Sequence, residues 1–281
     1  MSTSRRYTVF IHVAALFAMA LILAPFVWLF VSSIAGQTDL LSRPLRWIPE
    51  HVTWSRYGQI FQGRSGAAAL FRTAMVNSFI VGSCTVVVSL TVGILGGYAL
   101  ARLRFPFRRA TLLSFLLTYM MPPIVLIIPL YIIVVRLGLY DSKIGLVAVY
   151  CSLVTPFSLW MMSNFFGSLP AELEEAARVD GCTRMGALFR VVLPLAMPGV
   201  VATALFAFLL CWDEFLYALL LTGTDRAKTI PVAIAEFTGR NAVDFGLIAA
   251  GGVLASLPPV LLTLVFQRYL VEGLSAGAVK G

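Results

Sequence analysis

Charge is what this sequence has least of. Only 12% of its 281 residues are Asp, Glu, Lys or Arg, about half of the roughly 25% usual in a water-soluble domain. Histidine occurs twice, as His12 and His51, and neither sits in a constellation that would serve a metal or a hydrolytic base. The cysteines Cys84, Cys151, Cys182 and Cys211 form no C-x-x-C pair, and three lie in or beside apolar runs. They read as small core hydrophobes rather than redox or zinc ligands. No G-x-x-x-x-G-K-[ST] occurs, so the chain lacks the usual loop for cradling nucleotide phosphates. These gaps exclude an ATPase of that type and leave no metal or cofactor to be expected on this chain.

What remains is apolar. Hydrophobic residues make up 59% of the chain, and the mean hydropathy is +0.91. Such a composition describes a protein whose solvent is mostly lipid. The net charge of +8 does not point to nucleic acid, because the basic residues sit in short tracts between apolar runs; anionic lipid head groups are the better partner. A spanning helix needs about 20 mostly apolar residues, and the stretches 9–34, 75–99, 110–135, 144–166, 198–221 and 245–266 qualify. Ala18-Met19-Ala20 mimics a signal-peptide cleavage site, but the apolar run continues through 21–31, which favours an uncleaved first span. The expected fold is an all-α polytopic membrane protein with six transmembrane helices. Residues 1–74 would supply one span and an external loop, and residues 75–281 a five-helix core.

Short loops orient the spans. Arg102, Arg104, Arg108 and Arg109 crowd the loop between the second and third spans, and Arg5 and Arg6 precede the first. By the positive-inside rule both termini and the arginine loop face the cytoplasm. The first external segment opposes this with Arg43, Arg46, Arg56, Arg64 and Arg72, but long loops carry a weaker topology signal. Trp47, Trp54 and Tyr57 suit the outer membrane interface. Prolines at 122, 123, 129, 156, 258 and 259 fall within spans and predict kinks. Gly93 and Gly97 form a G-x-x-x-G, a weak signal for a close helix contact.

The richest stretch joins the fourth and fifth spans, residues 168–194. Pro170 suits a first helical turn. Glu172, Glu174 and Glu175 suit a helix N-terminus, and Gly181 suits a helix stop. A second helix should follow, with Met185, Leu188, Phe189 and Val192 on one face. A linker resting on an anionic bilayer is usually basic. This one sets four acids, Glu172, Glu174, Glu175 and Asp180, against Arg178, Arg184 and Arg190. A protein partner therefore fits better, seated close to the small Ala176, Ala177 and Gly181 and oriented by charged hydrogen bonds.

Glu175-Ala176-Ala177, then Asp180-Gly181, then Leu193-Pro194 resembles the EAA motif of permease subunits of ATP-binding-cassette importers. Trp212-Asp213-Glu214-Phe215-Leu216 resembles the family's W-N-E-F-L, with Asp213 replacing the usual asparagine. Gln267-Arg268-Tyr269 and the tail Gly273–Gly281 resemble the end of a maltose-type sugar permease. The resemblance covers the whole chain and implies a type I importer permease in the bacterial inner membrane. It implies that Glu174, Glu175, Ala176, Ala177, Arg178, Asp180, Gly181, Leu193 and Pro194 form a coupling segment seated on an ATP-binding subunit. It also implies two ATP-binding subunits holding ATP and Mg, a second permease subunit and an extracytoplasmic solute-binding protein. The solute would be a sugar, oligosaccharide or glycerol-phosphate compound.

Trp212, Asp213 and Glu214 are the candidate pathway residues. A charge at mid-helix costs about 2.5–3.5 kcal/mol on insertion scales, so an acidic pair within a span is rarely idle. The same pair supports an alternative, an ion-coupled secondary transporter, although such a carrier needs no acidic cytoplasmic helix. As a carboxylate dyad for catalysis the pair is poor, since adjacent positions point to different helix faces.

Overall fold

The computed structural model describes residues 5–44, 46–63, 66–237 and 244–278. The side chains of Arg5, Arg6 and Arg64, and of the tail Gly273–Gly281, lie outside the described set. In order, the elements are α1 (Arg5–Ile34), α2 (Gln37–Leu40), α3 (Ser55–Gln62), α4 (Gly66–Arg102), α5 (Arg108–Met120), α6 (Pro123–Arg136) and α7 (Lys143–Ser168). Then come α8 (Ala171–Val179), α9 (Arg184–Ala187), a π-helical turn (Leu188–Val192) and α10 (Leu193–Leu195). Last are α11 (Met197–Trp212), α12 (Leu216–Leu221), α13 (Ile230–Ala235) and α14 (Phe245–Ala278). Among the described residues, extended pairing is confined to an isolated bridge between Ala35 and Val52.

Four helices are long and apolar enough to cross a bilayer unbroken: Tyr7–Ile34, Ala69–Arg102, Lys143–Ser168 and Phe245–Tyr269. They match the first, second, fourth and sixth predicted spans. The third predicted span is two helices, α5 and α6, bent by 95°. The bend falls at Pro122-Pro123: a residue before proline is disfavoured in the α region, and Met121 sits at φ −67°, ψ 133°. α5 has 13 residues and reaches only about 20 Å at 1.5 Å per residue, short of the roughly 30 Å hydrocarbon core. The segment Arg184–Leu195 meets Met197–Trp212 at 77°, beside Pro194 and Pro198. The total is six only if each bent pair counts as one span. Other prolines act differently: Pro25, Pro129, Pro156 and the adjacent pair Pro258-Pro259 remain inside their helices.

The chain divides into two compact units, Met1–Arg72 with Ala233–Leu257, and Thr73–Val232 with Pro258–Gly281. In the first, Arg56 is 5% exposed, donates to the carbonyls of Ser33 and Ala35, and pairs with Asp244 at 3.1 Å. Buried Asp39 accepts from the amides of Glu50 and His51 and pairs with Arg46, which also meets Glu50. Two arginines that weigh against the predicted topology are thus occupied in structural ion pairs. Trp47 and Trp54 stay exposed, Trp47 meeting Trp28 and Trp54 meeting Tyr57 at a tilt.

The second unit has two apolar clusters. One gathers Val81, Leu146, Val149, Tyr150, Ala207 and Tyr217; the other gathers Tyr98, Met162, Phe166, Leu188, Val192 and Val200. Close approach of α4 to α7 depends on glycine. A Cβ at Gly97 would lie 2.8 Å from Met162 Cβ and the Ser163 nitrogen, and one at Gly93 3.0 Å from the Ser158 carbonyl carbon. The G-x-x-x-G thus marks a real backbone-to-backbone contact.

Candidate functional site

The helix α8 forms where the sequence places it. Pro170 ends at extended ψ, and Glu172 and Glu174 occupy the first turn with Arg178 in the last, each favourable to the helix dipole. Termination is a Schellman turn: the Cys182 amide donates to the Ala177 carbonyl at 3.0 Å and the Gly181 amide to Arg178 at 3.1 Å. Gly181 sits at φ +88°, a conformation that costs little only for glycine. Thr183 then caps the next helix, its hydroxyl accepting from the Gly186 amide at 3.1 Å.

Two faces of α8 do different things. Glu175, Ala176, Arg178, Asp180 and Gly181 are exposed, as a docking surface requires. Glu174 and Ala177 turn inward. The Tyr98 hydroxyl donates to Glu174 Oε1 at 2.6 Å, and Arg102 Nε lies 3.7 Å from Oε2. Arg102 also donates to the Leu169 carbonyl at 2.7 Å. Past the turn, the expected single face of Met185, Leu188, Phe189 and Val192 is divided: Leu188 and Val192 are buried, Met185 and Phe189 exposed. A π-helical turn carries more residues per turn than an α-helix and rotates these positions apart. Leu193 is half-buried and Pro194 exposed.

The second predicted site lies at the break after α11. Trp212 is buried and stacks on Phe208 with centroids 5.4 Å apart; Asp213 is exposed. Glu214 folds back over the start of α12, accepting from the Tyr217 amide at 2.9 Å and the Ala218 amide at 3.1 Å. It satisfies amides that a helix start leaves open. Tyr217 in turn donates to the Pro123 carbonyl at 2.9 Å, tying α12 to the bend between α5 and α6. Beside this bracket is a cavity of about 550 Å³, walled by Tyr119, Met121, Tyr150, Ser152, Glu214 and Tyr217 among others. The structure therefore brings Glu214 to a cavity wall, while Trp212 is buried against Phe208.

Sequence reasoning missed three groups. Tyr98 and Arg102 are the partners of Glu174; their i, i+4 spacing on one helix face was the available signal. Asp141 was also missed. Its carboxylate accepts from the Gly223 and Thr224 amides and the Thr224 hydroxyl. Partial burial alone would raise its pKa, but the Thr224 and Gly223 bonds and the Arg226 charge together hold it below the ordinary aspartate value. Among the described residues no group of His, Cys, Asp and Glu could hold a metal.

Long apolar helices, two bent helix pairs, and a helix, α8, exposed between α7 and α11 mark a membrane protein with a surface element between two of its helices. The family model for the binding-protein-dependent transport system inner membrane component matches residues 89–276, and the chain belongs to that family. It is 40% identical to the trehalose transport system permease protein SugB of Mycobacterium tuberculosis, over 92% of this chain and 93% of that one. It is 33% identical to the trehalose/maltose transport system permease protein MalG of Thermococcus litoralis, over 96% and 95%. Among solved structures, a bacterial ABC transporter that imports the acidic polysaccharide alginate has the same fold. Its TM-score is 0.77 at 24% identity, covering 96% of this chain and 99% of that one. The chain is thus a permease subunit of an ATP-binding-cassette importer and not itself an enzyme; ATP hydrolysis belongs to other subunits. The relatives give the ion-coupled alternative no support.

Proposed function

We propose that this chain forms half of the membrane path for a saccharide or saccharide-like solute and that α8, with the Gly181 turn, seats an ATP-binding subunit. The carrying observation is the exposed face of Glu175, Ala176, Arg178, Asp180 and Gly181 in a chain whose relatives are named for trehalose and maltose transport. Residues 75–281 make up the permease core, with α5 and α6 together as one span and α11 and α12 together as another. The partners are a second permease subunit, two ATP-binding subunits carrying ATP and Mg, and an extracytoplasmic solute-binding protein. A related alginate transporter is known in complex with a saccharide-bound periplasmic protein, which supports the last. This chain binds no nucleotide or metal of its own. Competition tests the solute class: unlabelled disaccharides should suppress uptake of labelled trehalose by cells expressing the importer, and amino acids should not. Suppression by an amino acid alone would contradict the saccharide reading.

Both termini and the loop carrying Arg102, Arg104, Arg108 and Arg109 face the cytoplasm in this reading. Pro106 is exposed within that loop. A cysteine placed there should react with an impermeant thiol reagent only after cells are opened. Ready labelling in intact cells would reverse the orientation.

A further inference from the structure

We propose that Glu174, Tyr98 and Arg102 are a buried clamp that makes the cytoplasmic end of α4 move with α8. The inference rests on the reading of α8 as the coupling element and extends it to a span that is not joined to α8 in sequence. Through the chain itself, α8 can pull only α7, which precedes it, and α11, which follows it. The clamp adds α4.

The geometry is specific. Tyr98 and Glu174 are 4% and 7% exposed, and their 2.6 Å bond joins an anionic acceptor to a hydroxyl donor. Charge-assisted hydrogen bonds of this length are the strong kind. Arg102 lies one turn further along α4. It pairs with the other carboxylate oxygen and bonds the Leu169 carbonyl, at the junction of α7 and α8. One carboxylate, one hydroxyl and one guanidinium thereby connect three helices. Tyr98 also meets Phe166 edge-on at 6.0 Å and packs in the cluster that holds Leu188 and Val192. Both sides of the Gly181 turn thus meet the same cluster, α8 through the Tyr98–Glu174 bond and the following turn through Leu188 and Val192.

Stability alone is a poor reason for the trio. Burying an ion pair is often no better than burying apolar residues of equal size. What a buried, directional polar contact adds is a defined register between the elements it joins. Neighbouring Glu175 projects about 100° away, one residue on along a 3.6-residue turn, and is exposed. The same helix thus presents one glutamate to a partner and turns another inward. Displacement of the outer face is carried to the inner one because a nine-residue helix is stiff over its length.

The test uses the complete complex, reconstituted with its ATP-binding subunits, second permease and solute-binding protein. Spin labels at Phe105 and Val179, both exposed, report the separation of the α4 end from α8. Tyr98→Phe and Glu174→Ala are made singly and together. The clamp predicts normal recruitment of the ATP-binding subunit and retained hydrolysis. It also predicts that solute moved per ATP falls about tenfold in Glu174→Ala, as loss of one buried charged hydrogen bond implies, with a broadened label separation. Tyr98→Phe should add little once Glu174 is gone. Solute moved per ATP within twofold of the parent, with an unbroadened separation, overturns the proposal, as do strictly additive effects. If Glu174→Ala does not assemble, Tyr98→Phe, which removes a single oxygen, decides by the same two readouts. Gly181→Asp and Glu175→Lys in parallel separate the two ideas. If they uncouple transport and the clamp variants do not, the clamp alone fails. If they too are silent, the coupling reading fails with it.

Discussion

Gly181→Asp is expected to cut uptake per assembled permease by about tenfold or more, while the solute-binding protein still captures its ligand. The residue sits at φ +88°, and a non-glycine residue there costs roughly 1–2 kcal/mol, with Asp among the more tolerant. A Cβ at this position meets nothing within 4 Å. The variant therefore has room inside this chain, and its folding cost is limited to backbone strain. A larger loss must come from outside, from a carboxylate added beside Asp180 where the ATP-binding subunit seats. Glu175→Lys acts on the same exposed face by reversing one charge, and should weaken the same contact without disturbing Glu174. Neither position belongs to a membrane-crossing segment, so both variants should insert normally. The measurements are uptake, ATPase rate and the amount of ATP-binding subunit recovered with the permease. Parental values for all three in both variants would reduce α8 to a linker.

The second large effect is expected at Glu214. Removing its carboxylate in Glu214→Ala leaves the Tyr217 and Ala218 amides without their side-chain acceptor. Loss of such an N-terminal cap costs about 0.5–2 kcal/mol. The helix it holds carries Tyr217, whose hydroxyl bonds the carbonyl of Pro123, so slack at α12 reaches the wall of the 550 Å³ cavity. Uptake should fall several-fold in Glu214→Ala, with assembly nearly intact. Glu214→Gln keeps one carbonyl oxygen as acceptor and should fall less. An equal, large loss in both variants would mean that the charge, rather than the cap, serves the solute. Unchanged uptake kinetics in both would remove Glu214 from any account of the pathway. Asp213 is exposed and belongs to no such bracket, and its substitution should matter less.

Much of the architecture was legible because local chemistry decided it. Six apolar runs are visible without a structure, and four persist as single helices. The Gly181 stop and the acidic first turn of α8 follow from capping rules acting within a few residues. Where the reading stopped short, longer-range packing was in control. Pro129, Pro156 and even the adjacent pair Pro258-Pro259 stay within helices, while at Pro122-Pro123 Met121 leaves the α region and the chain turns by 95°, so proline content alone does not decide where a span breaks. The split of Met185 and Phe189 from Leu188 and Val192 needs the π-helical turn, which no 3.6-residue period reveals. Glu174 was grouped with the docking residues because its neighbours belong there. Its inward partner is 76 positions away in the chain, and only the packing of α4 against α7 brings it near. At Glu214, the cost of a carboxylate inside a span is the signal the sequence offers, and the structure sets that carboxylate on a cavity wall. The break between α11 and α12, which gives the carboxylate two amides to cap, was visible only as an interruption of the apolar run.

The most direct measurement is solute uptake by proteoliposomes holding the complete complex, with loaded solute-binding protein outside and ATP inside. Ionophores are added to collapse proton and sodium gradients. Labelled disaccharide should accumulate only when ATP is enclosed and at an undiminished rate after the gradients are abolished, and Gly181→Asp should lower it. Accumulation that follows an imposed ion gradient without ATP would contradict the account.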